Sequence, residues 1–169
     1  MLFRSEGFGY SFATWRFHLR GETIRSAADV GWIRDLTVGR MMRPDFHTVQ
    51  RDTTIEAFRT QFPLGSTGQV IAVDPDGHYA GIVVVPEAHS VETGLEKPVE
   101  IILHHKDTVL LPSMNVREAA AVFDRAEAES LAVVDSPVSR QAIGLLSESH
   151  TLRRYAEESE QRRRDLVGE

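Results

Sequence analysis

One stretch of this chain is written twice. The first copy runs from Thr53 to Pro86 and the second from Met114 to Ser149. A constant shift of 61 places Ile55 on Val116, Ala57 on Glu118, Phe62 on Phe123 and the run Val70–Asp74 on Leu131–Asp135. Two further residues are gapped in the turn, and Gly81 then falls on Gly144. Each copy reads as an amphipathic helix, a short apolar strand, an Asp/Pro turn, a Gly-led apolar strand and the start of a second helix. The shared order of elements, with the shared Phe, Asp and Gly, points to an internal duplication.

The rest of the composition narrows the class. A chain of 169 residues fits one compact domain or two small ones and can bury a core. The 41% hydrophobic and 26% charged content is that of a globular protein. With a net charge of −6 and no large basic block, nucleic acid is not an expected partner. The absence of cysteine excludes disulfides, thiolate metal sites and cysteine nucleophiles. No apolar run reaches the ~18–20 residues of a membrane span, and no secretory leader is expected at Met1–Gly9.

Ahead of the repeats, Phe8–Arg20 is the most aromatic segment. From Trp15 it alternates, with Trp15, Phe17 and Leu19 against Arg16, His18 and Arg20, which favours an extended segment. Phe8, Phe12 and Trp15 also fit a helical stripe. Its apolar face, beside Arg4, Arg16, Arg20 and Arg25, suits either packing on a protein surface or a membrane surface. Ser26 is a candidate cap for a short helix over Ala27–Ile33.

In the first repeat, Pro44 stops a short helix over Val38–Met42. Thr53–Glu56 matches a capping box, and Ile55, Phe58 and Phe62 give that helix its buried stripe. Gln69–Val73 and Tyr79–Val85 are strands around the Asp74–Gly77 turn, and Pro86 opens the next helix. The continuous apolar run of the returning strand implies burial on both faces. Glu92–Pro98 is a polar connector, and Thr108–Leu111 mirrors the extended piece at Thr48–Val49. Asn115 and Glu118 repeat the capping logic, with Val116, Ala119, Ala120 and Phe123 on the inner face. Leu131–Val134 and Ile143–Leu146 are the paired strands, Ser147 or Ser149 caps the last helix, and the tail from Glu157 reads as a solvated or frayed end.

The motifs of common chemistries are missing. His104 and His105 are adjacent and so face different ways, and no HExxH or other ligand spacing is present, so no metal site is expected. There is no GxSxG, P-loop or GxGxxG, and no catalytic residues are assigned; the chain is not expected to be an enzyme.

The duplicated unit resembles a CBS domain. The residues that carry the likeness are Val38–Met42, then Thr48–Val49, a capped helix, the V-I-A-V strand and the Gly-led strand. Two copies resemble the CBS pair called a Bateman module, which implies an α+β fold of two β-α-β-β-α repeats related by a pseudo-twofold axis. The segment Ser11–Phe17 with Leu19-Arg20-Gly21 is similar to the end of the last membrane helix of bacterial ClC chloride channels and transporters, where it runs into a cytosolic CBS pair. On that resemblance residues 1–35 are the end of a membrane helix and its linker, 36–91 the first CBS domain, 92–97 a linker, 98–156 the second and 157–169 a charged tail. Ser11-Phe12-Ala13 stands where that family usually has Ser-Ile-Tyr, so no anion-site residue is carried over. The resemblance implies a regulatory module on the cytoplasmic face of the inner membrane, modulating gating or assembly of a ClC transport domain in the same polypeptide. It also implies a homodimer formed through the CBS pairs. The alternative is an adenine-nucleotide-sensing CBS pair attached to a different effector.

The family's nucleotide motif runs Gly, two apolar positions, Ser or Thr, two more, then an Asp that accepts from ribose hydroxyls. Here the second copy has Gly144, Ser147 and His150, and the first has Gly81, Val84 and Glu87. By the resemblance the candidate ligand-binding residues are Thr48, Val49, Glu87, Leu111, Leu146, Ser147 and His150. Each copy lacks part of the motif. No cofactor is therefore required, and weak or absent binding of ATP, ADP and AMP is expected.

Overall fold

The computed structural model describes Gly31 and residues 33–168. The readings for Phe8–Arg20 and for Ser11–Gly21 lie outside those residues. Of the Ala27–Ile33 helix only Gly31 and Ile33 are described, and both are helical. In chain order the elements are α1 (Val38–Met41), β1 (Thr48–Gln50), α2 (Ile55–Gln61), β2 (Gln69–Val73), β3 (Tyr79–Val84) and α3 (Val85–Ser90). A 3-10 turn at Val99–Ile102 leads to α4 (Val116–Ala126), β4 (Ser130–Val134), β5 (Ala142–Ser147) and α5 (Glu148–Val167).

The duplication is an alignment of elements, not only of letters. Gln69 and Ser130 open β2 and β4, which is the shift of 61, and Tyr79 and Ala142 open β3 and β5 after the two-residue gap. Val49 pairs in parallel with Ala72, and its counterpart Leu110 bridges Val133 in parallel. Asp74 and Asp135 do the same local work. The Asp74 Oδ1 accepts the N–H groups of Asp76 and His78, and the Asp135 Oδ1 accepts those of Ser136 and Gln141. A carboxylate that folds back on its own turn is what makes Asp favourable there. Gly77, at φ 86, supplies the left-handed residue of the first turn.

The helix caps differ between copies. The first cap is Thr54, one residue later than the Thr53-based box; its hydroxyl accepts from Ala57 N–H. Ala57 cannot reach back, so that box does not close. At the matching position Glu118 can, and Asn115 with Glu118 forms a full capping box. Pro63 also ends α2 early, leaving Phe62 as its C-cap, while α4 runs a turn longer past Phe123. Arg59 of α2 reaches the end of α3, donating to the carbonyls of Ala88 at 2.8 Å and of Val91.

Two compact units emerge. One is Met42–Pro112 with Leu131–Leu146. In it the strands β1-β2-β3 form a sheet, parallel then antiparallel. Side chains alternate along β2. Val70 and Ala72 pack with Ile55 and Phe58 of α2, with Phe62, and with Ala88 of α3. Ile71 and Val73 pack with Tyr79, Ile82, Ala132 and Val134. The sheet is thus buried on both faces, as its unbroken apolar sequence requires. The other unit comprises, among the described residues, Gly31, 33–41, Ser113–Ser130 and 147–168. Its core includes Leu36, Val38, Met41, Val116, Ala119, Phe123 and Tyr155, with α5 packed on α1 and α4.

The leading segment of each repeat crosses to the other copy. Val38 and Val116 N–H groups bond the carbonyls of Met114 and Leu36, and Arg43 and Leu145 exchange two backbone bonds at 2.8 and 3.0 Å. At the matching positions Val99 and Ile55 bond Thr53 and Lys97, and His104 and Ile82 exchange two bonds at 2.8 and 2.9 Å. The polar connector is therefore a structural part: Leu95 and Lys97 carbonyls take the first orphan N–H groups of α2. The crossing explains the shared glycine. A Cβ on Gly81 would lie 2.8 Å from the Leu103 Cβ, and one on Gly144 would lie 2.6 Å from the Met42 Sδ.

The tail is helical rather than frayed. α5 continues to Val167 before Gly168 at φ 78, with Arg154–Glu158 and Arg164–Glu160 pairs one turn apart and Glu160 also held by Arg163. No helix among the described residues is long and apolar enough to cross a membrane.

Gly81→Ala and Gly144→Ala should each destabilise the protein by about 1–3 kcal/mol through overpacking against the crossing segment. Phe62→Ala and Phe123→Ala should each cost about 3–5 kcal/mol. Denaturant unfolding checks all four, and an unmoved midpoint at either phenylalanine would remove it from the core.

Candidate functional site

The seven candidate residues are distributed over the two units. Thr48 is an exposed residue of β1 and Val49 is buried among α2 and β2 side chains. Leu111 is half-buried against the Ile71–Val134 cluster, and Leu146 is buried at the end of β5. Glu87 sits in the first turn of α3. These five belong to the Met42–Leu146 unit, whereas Ser147 and His150 belong to the other. The geometry brings Ser147 and His150 together and gives Glu87 a partner outside the seven.

That partner is His104. Its Nε2 lies 2.6 Å from the Glu87 Oε2, and both side chains are 42% exposed. The carboxylate accepts and the imidazole donates. The β3 strand positions both: it runs directly into α3, and Ile82 holds the His104 backbone by two hydrogen bonds. The adjacent His104 and His105 rings lie 6.1 Å apart at a tilt of 45°, and the carboxylate that His104 meets is seventeen residues upstream. No spacing in the sequence signals the pair, because it forms only where the crossing segment meets the motif strand.

The chain beyond His104 is pinned. His105 takes φ 54, a left-handed conformation rare for a residue with a Cβ. The Tyr79 hydroxyl donates to its carbonyl at 2.6 Å, and the Arg140 guanidinium, 5.5 Å above the Tyr79 ring, donates to the Lys106 carbonyl at 2.7 Å. Burial pushes the Tyr79 hydroxyl well above the usual tyrosine range, with Arg140 opposing and Asp107 adding to the shift. Burial, and secondarily the charge of His104, holds the His105 imidazole below its ordinary value of 6.5.

The second copy is built differently. Ser147 is the N-cap of α5, its Oγ accepting from His150 N–H at 3.1 Å. In the first copy Val84 occupies the cap position with no side chain to offer, and Pro86 in the first turn removes one of the N–H groups that would need it. The His150 Nδ1 is 3.0 Å from the Arg153 Nη2. A guanidinium only donates, so Nδ1 accepts and the ring proton of neutral His150 resides on Nε2. Neutral His150 thus carries a donor nitrogen at the position where Glu87 carries an acceptor-only carboxylate. The two motif ends are opposite in hydrogen-bonding sense.

A metal-like grouping lies at the first hairpin, where donor atoms of Asp74, Asp76 and His78 fall within 4.8 Å of one another. The His78 Nδ1 is bonded to the Asp74 Oδ2 at 3.0 Å, and Asp74 carries the turn. Desolvation raises the Asp74 carboxyl, but the hydrogen bonds and charge of His78 and the N–H of Asp76 together outweigh it and hold the group below its ordinary value.

Solved structures share this architecture. The fold is that of a CBS domain pair. A CBS domain pair/ACT domain protein from Thermotoga maritima matches with a TM-score of 0.59 and 21% identity, over 72% of this chain and 98% of its own. The protein CBSX2, solved in complex with AMP, matches at 0.62 and 19%, over 73% and 98%. A CBS domain pair solved with 5′-methylthioadenosine and S-adenosyl-L-methionine matches at 0.60 and 16%, over 72% and 97%. No family model and no curated protein matches the chain. At these identities the likeness establishes the fold of the CBS pair.

The depressed His105 imidazole gives a pH prediction. The unfolded chain binds that proton first as pH falls, so the contribution is complete above 6.5 and is lost below it. His105→Asn, which tolerates the left-handed backbone, should flatten the fall of the thermal midpoint below pH 6.5. An unchanged slope would assign the acid sensitivity elsewhere.

Proposed function

We propose that this CBS pair is a regulatory module of a ClC-type chloride channel or H⁺/Cl⁻ exchanger, on the cytoplasmic face of the inner membrane, and that it works without a bound nucleotide. The attachment rests on one observation: the aromatic and basic run Ser11–Gly21, similar to the end of the last ClC membrane helix, stands just ahead of the first repeat. The ligand-free state is supported by the hydrogen bonds of the motif. Glu87 is engaged by His104, and the Ser147 hydroxyl is engaged as a helix cap. Such a module transmits through packing: a change in how two copies associate biases the attached transport domain. The module forms a homodimer through helices that follow the motif strands, the α3 and α5 faces.

The second reading is an adenine-nucleotide sensor on another effector. It is favoured by the two CBS pairs of like fold solved with AMP and with adenosyl compounds. Its site would be the Ser147–His150 turn.

Three measurements separate these. The coding sequence upstream of Met1 should encode a series of membrane helices; a soluble catalytic domain there would overturn the ClC attachment. Calorimetric titration of ATP, ADP and AMP should give dissociation constants above about 10 μM; a tighter value for any of them favours the sensor. Light scattering should give a dimer, and a monomer at high micromolar protein would count against the self-association.

A further inference from the structure

The pairing of His104 with Glu87 bears on why the first repeat would stay empty. The first copy retains a carboxylate at the end of its motif, so the missing hydroxyl at Val84 does not by itself disable it. What stands against a ligand there is the chain's own imidazole. The His104 Nε2 is within 2.6 Å of the Glu87 Oε2, closer than an ordinary N–H···O contact.

The imidazole is presented by rigid backbone. Two bonds to Ile82 fix His104 against the strand that carries the motif. On its N-terminal side Leu103 fills the space left by Gly81, which has no room for a Cβ. On its C-terminal side Tyr79 and Arg140 hold the carbonyls of His105 and Lys106. The ring can leave Glu87 by rotating its side chain, but the segment that bears it stays in place. The pair is not a requirement of the fold. The second copy has Arg43 at the position of His104 and His150 at that of Glu87, and so has no carboxylate.

We propose that His104 is an internal occupant of the first motif, an autoinhibitory contact that keeps hydroxyl-bearing ligands from the Glu87 carboxylate. The proposal rests on the ligand-free reading above and supplies its cause in the first repeat. Any ribose that reaches Glu87 first displaces the imidazole donor. Half-exposed pairs are weak, which leaves the fold insensitive to loss of this one and makes removal of His104 a clean experiment.

The test is calorimetric titration of AMP into the wild-type protein, His104→Ala, His104→Asn (too short to reach Glu87) and the double variant His104→Ala/Glu87→Gln, with thermal midpoints recorded for each. Both single variants should keep the wild-type midpoint within a few degrees and bind AMP roughly two- to fivefold more tightly. The double variant should return to the wild-type affinity. Equal affinity in wild type and both single variants, including no detectable binding in any, overturns the proposal. So does a gain that survives Glu87→Gln. The ratio between variant and wild type judges the contact, whereas a wild-type dissociation constant below about 10 μM would instead remove the ligand-free reading.

Discussion

The exchange of leading segments is the constraint on which the rest of this structure depends. Eight backbone hydrogen bonds, four in each copy's crossing, tie residues 36–43 to the second repeat and residues 97–104 to the first. Backbone groups impose few side-chain preferences, so the two crossings could persist while the sequences of the copies diverged. The exception is the strand glycine. Where Leu103 and Met42 cross, a Cβ on the strand has nowhere to go. The same crossing gives α2 and α4 their start, because the carbonyls of Lys97 and Leu36 take the N–H of the first residue of each helix.

Divergence appears at the ends of the motif strands. In the first copy Val84, Pro86 and Glu87 begin a helix of six residues without a side-chain cap. In the second, Ser147 caps a helix of twenty. The first copy thus keeps its polar capacity in a carboxylate turned to His104. The second spends its hydroxyl on the helix and has an imidazole in place of the carboxylate. Both patterns satisfy the local backbone, and neither leaves the motif set as an open pair of hydroxyl and carboxylate. The proposed ligand-free reading rests on that asymmetry.

Much of this was legible in the sequence, and the reasons are specific. The strands were readable because burial on both faces demands unbroken apolar runs, as at Val70–Val73 and Leu131–Val134. The Asn115–Glu118 box was readable because both reciprocal partners are present. The first cap was misplaced by one residue because Thr53 and Thr54 are chemically equivalent, and only the geometry selects the one whose hydroxyl reaches Ala57. The charged tail was read from composition, which weighs solvation but not the i,i+4 pairing that suits Glu158, Glu160 and Arg164 to a helix. The crossing was hidden, since it is made of main-chain atoms far apart in sequence. His104 was hidden with it: a histidine joins a carboxylate only after the crossing has placed it there.

The exchange also sets an order in time. His104 finds Ile82 within about two dozen residues, so the first crossing can close while the chain is still being made. Arg43 must wait for Leu145, about a hundred residues later, which at roughly 5–20 residues per second is on the order of 5–20 seconds of synthesis. Leu36 and Val38, buried in the finished protein, meet their backbone partners Val116 and Met114 only when those residues emerge, still ahead of Leu145. The earliest apolar residues of the repeats to leave the ribosome therefore wait for the second repeat before they are covered.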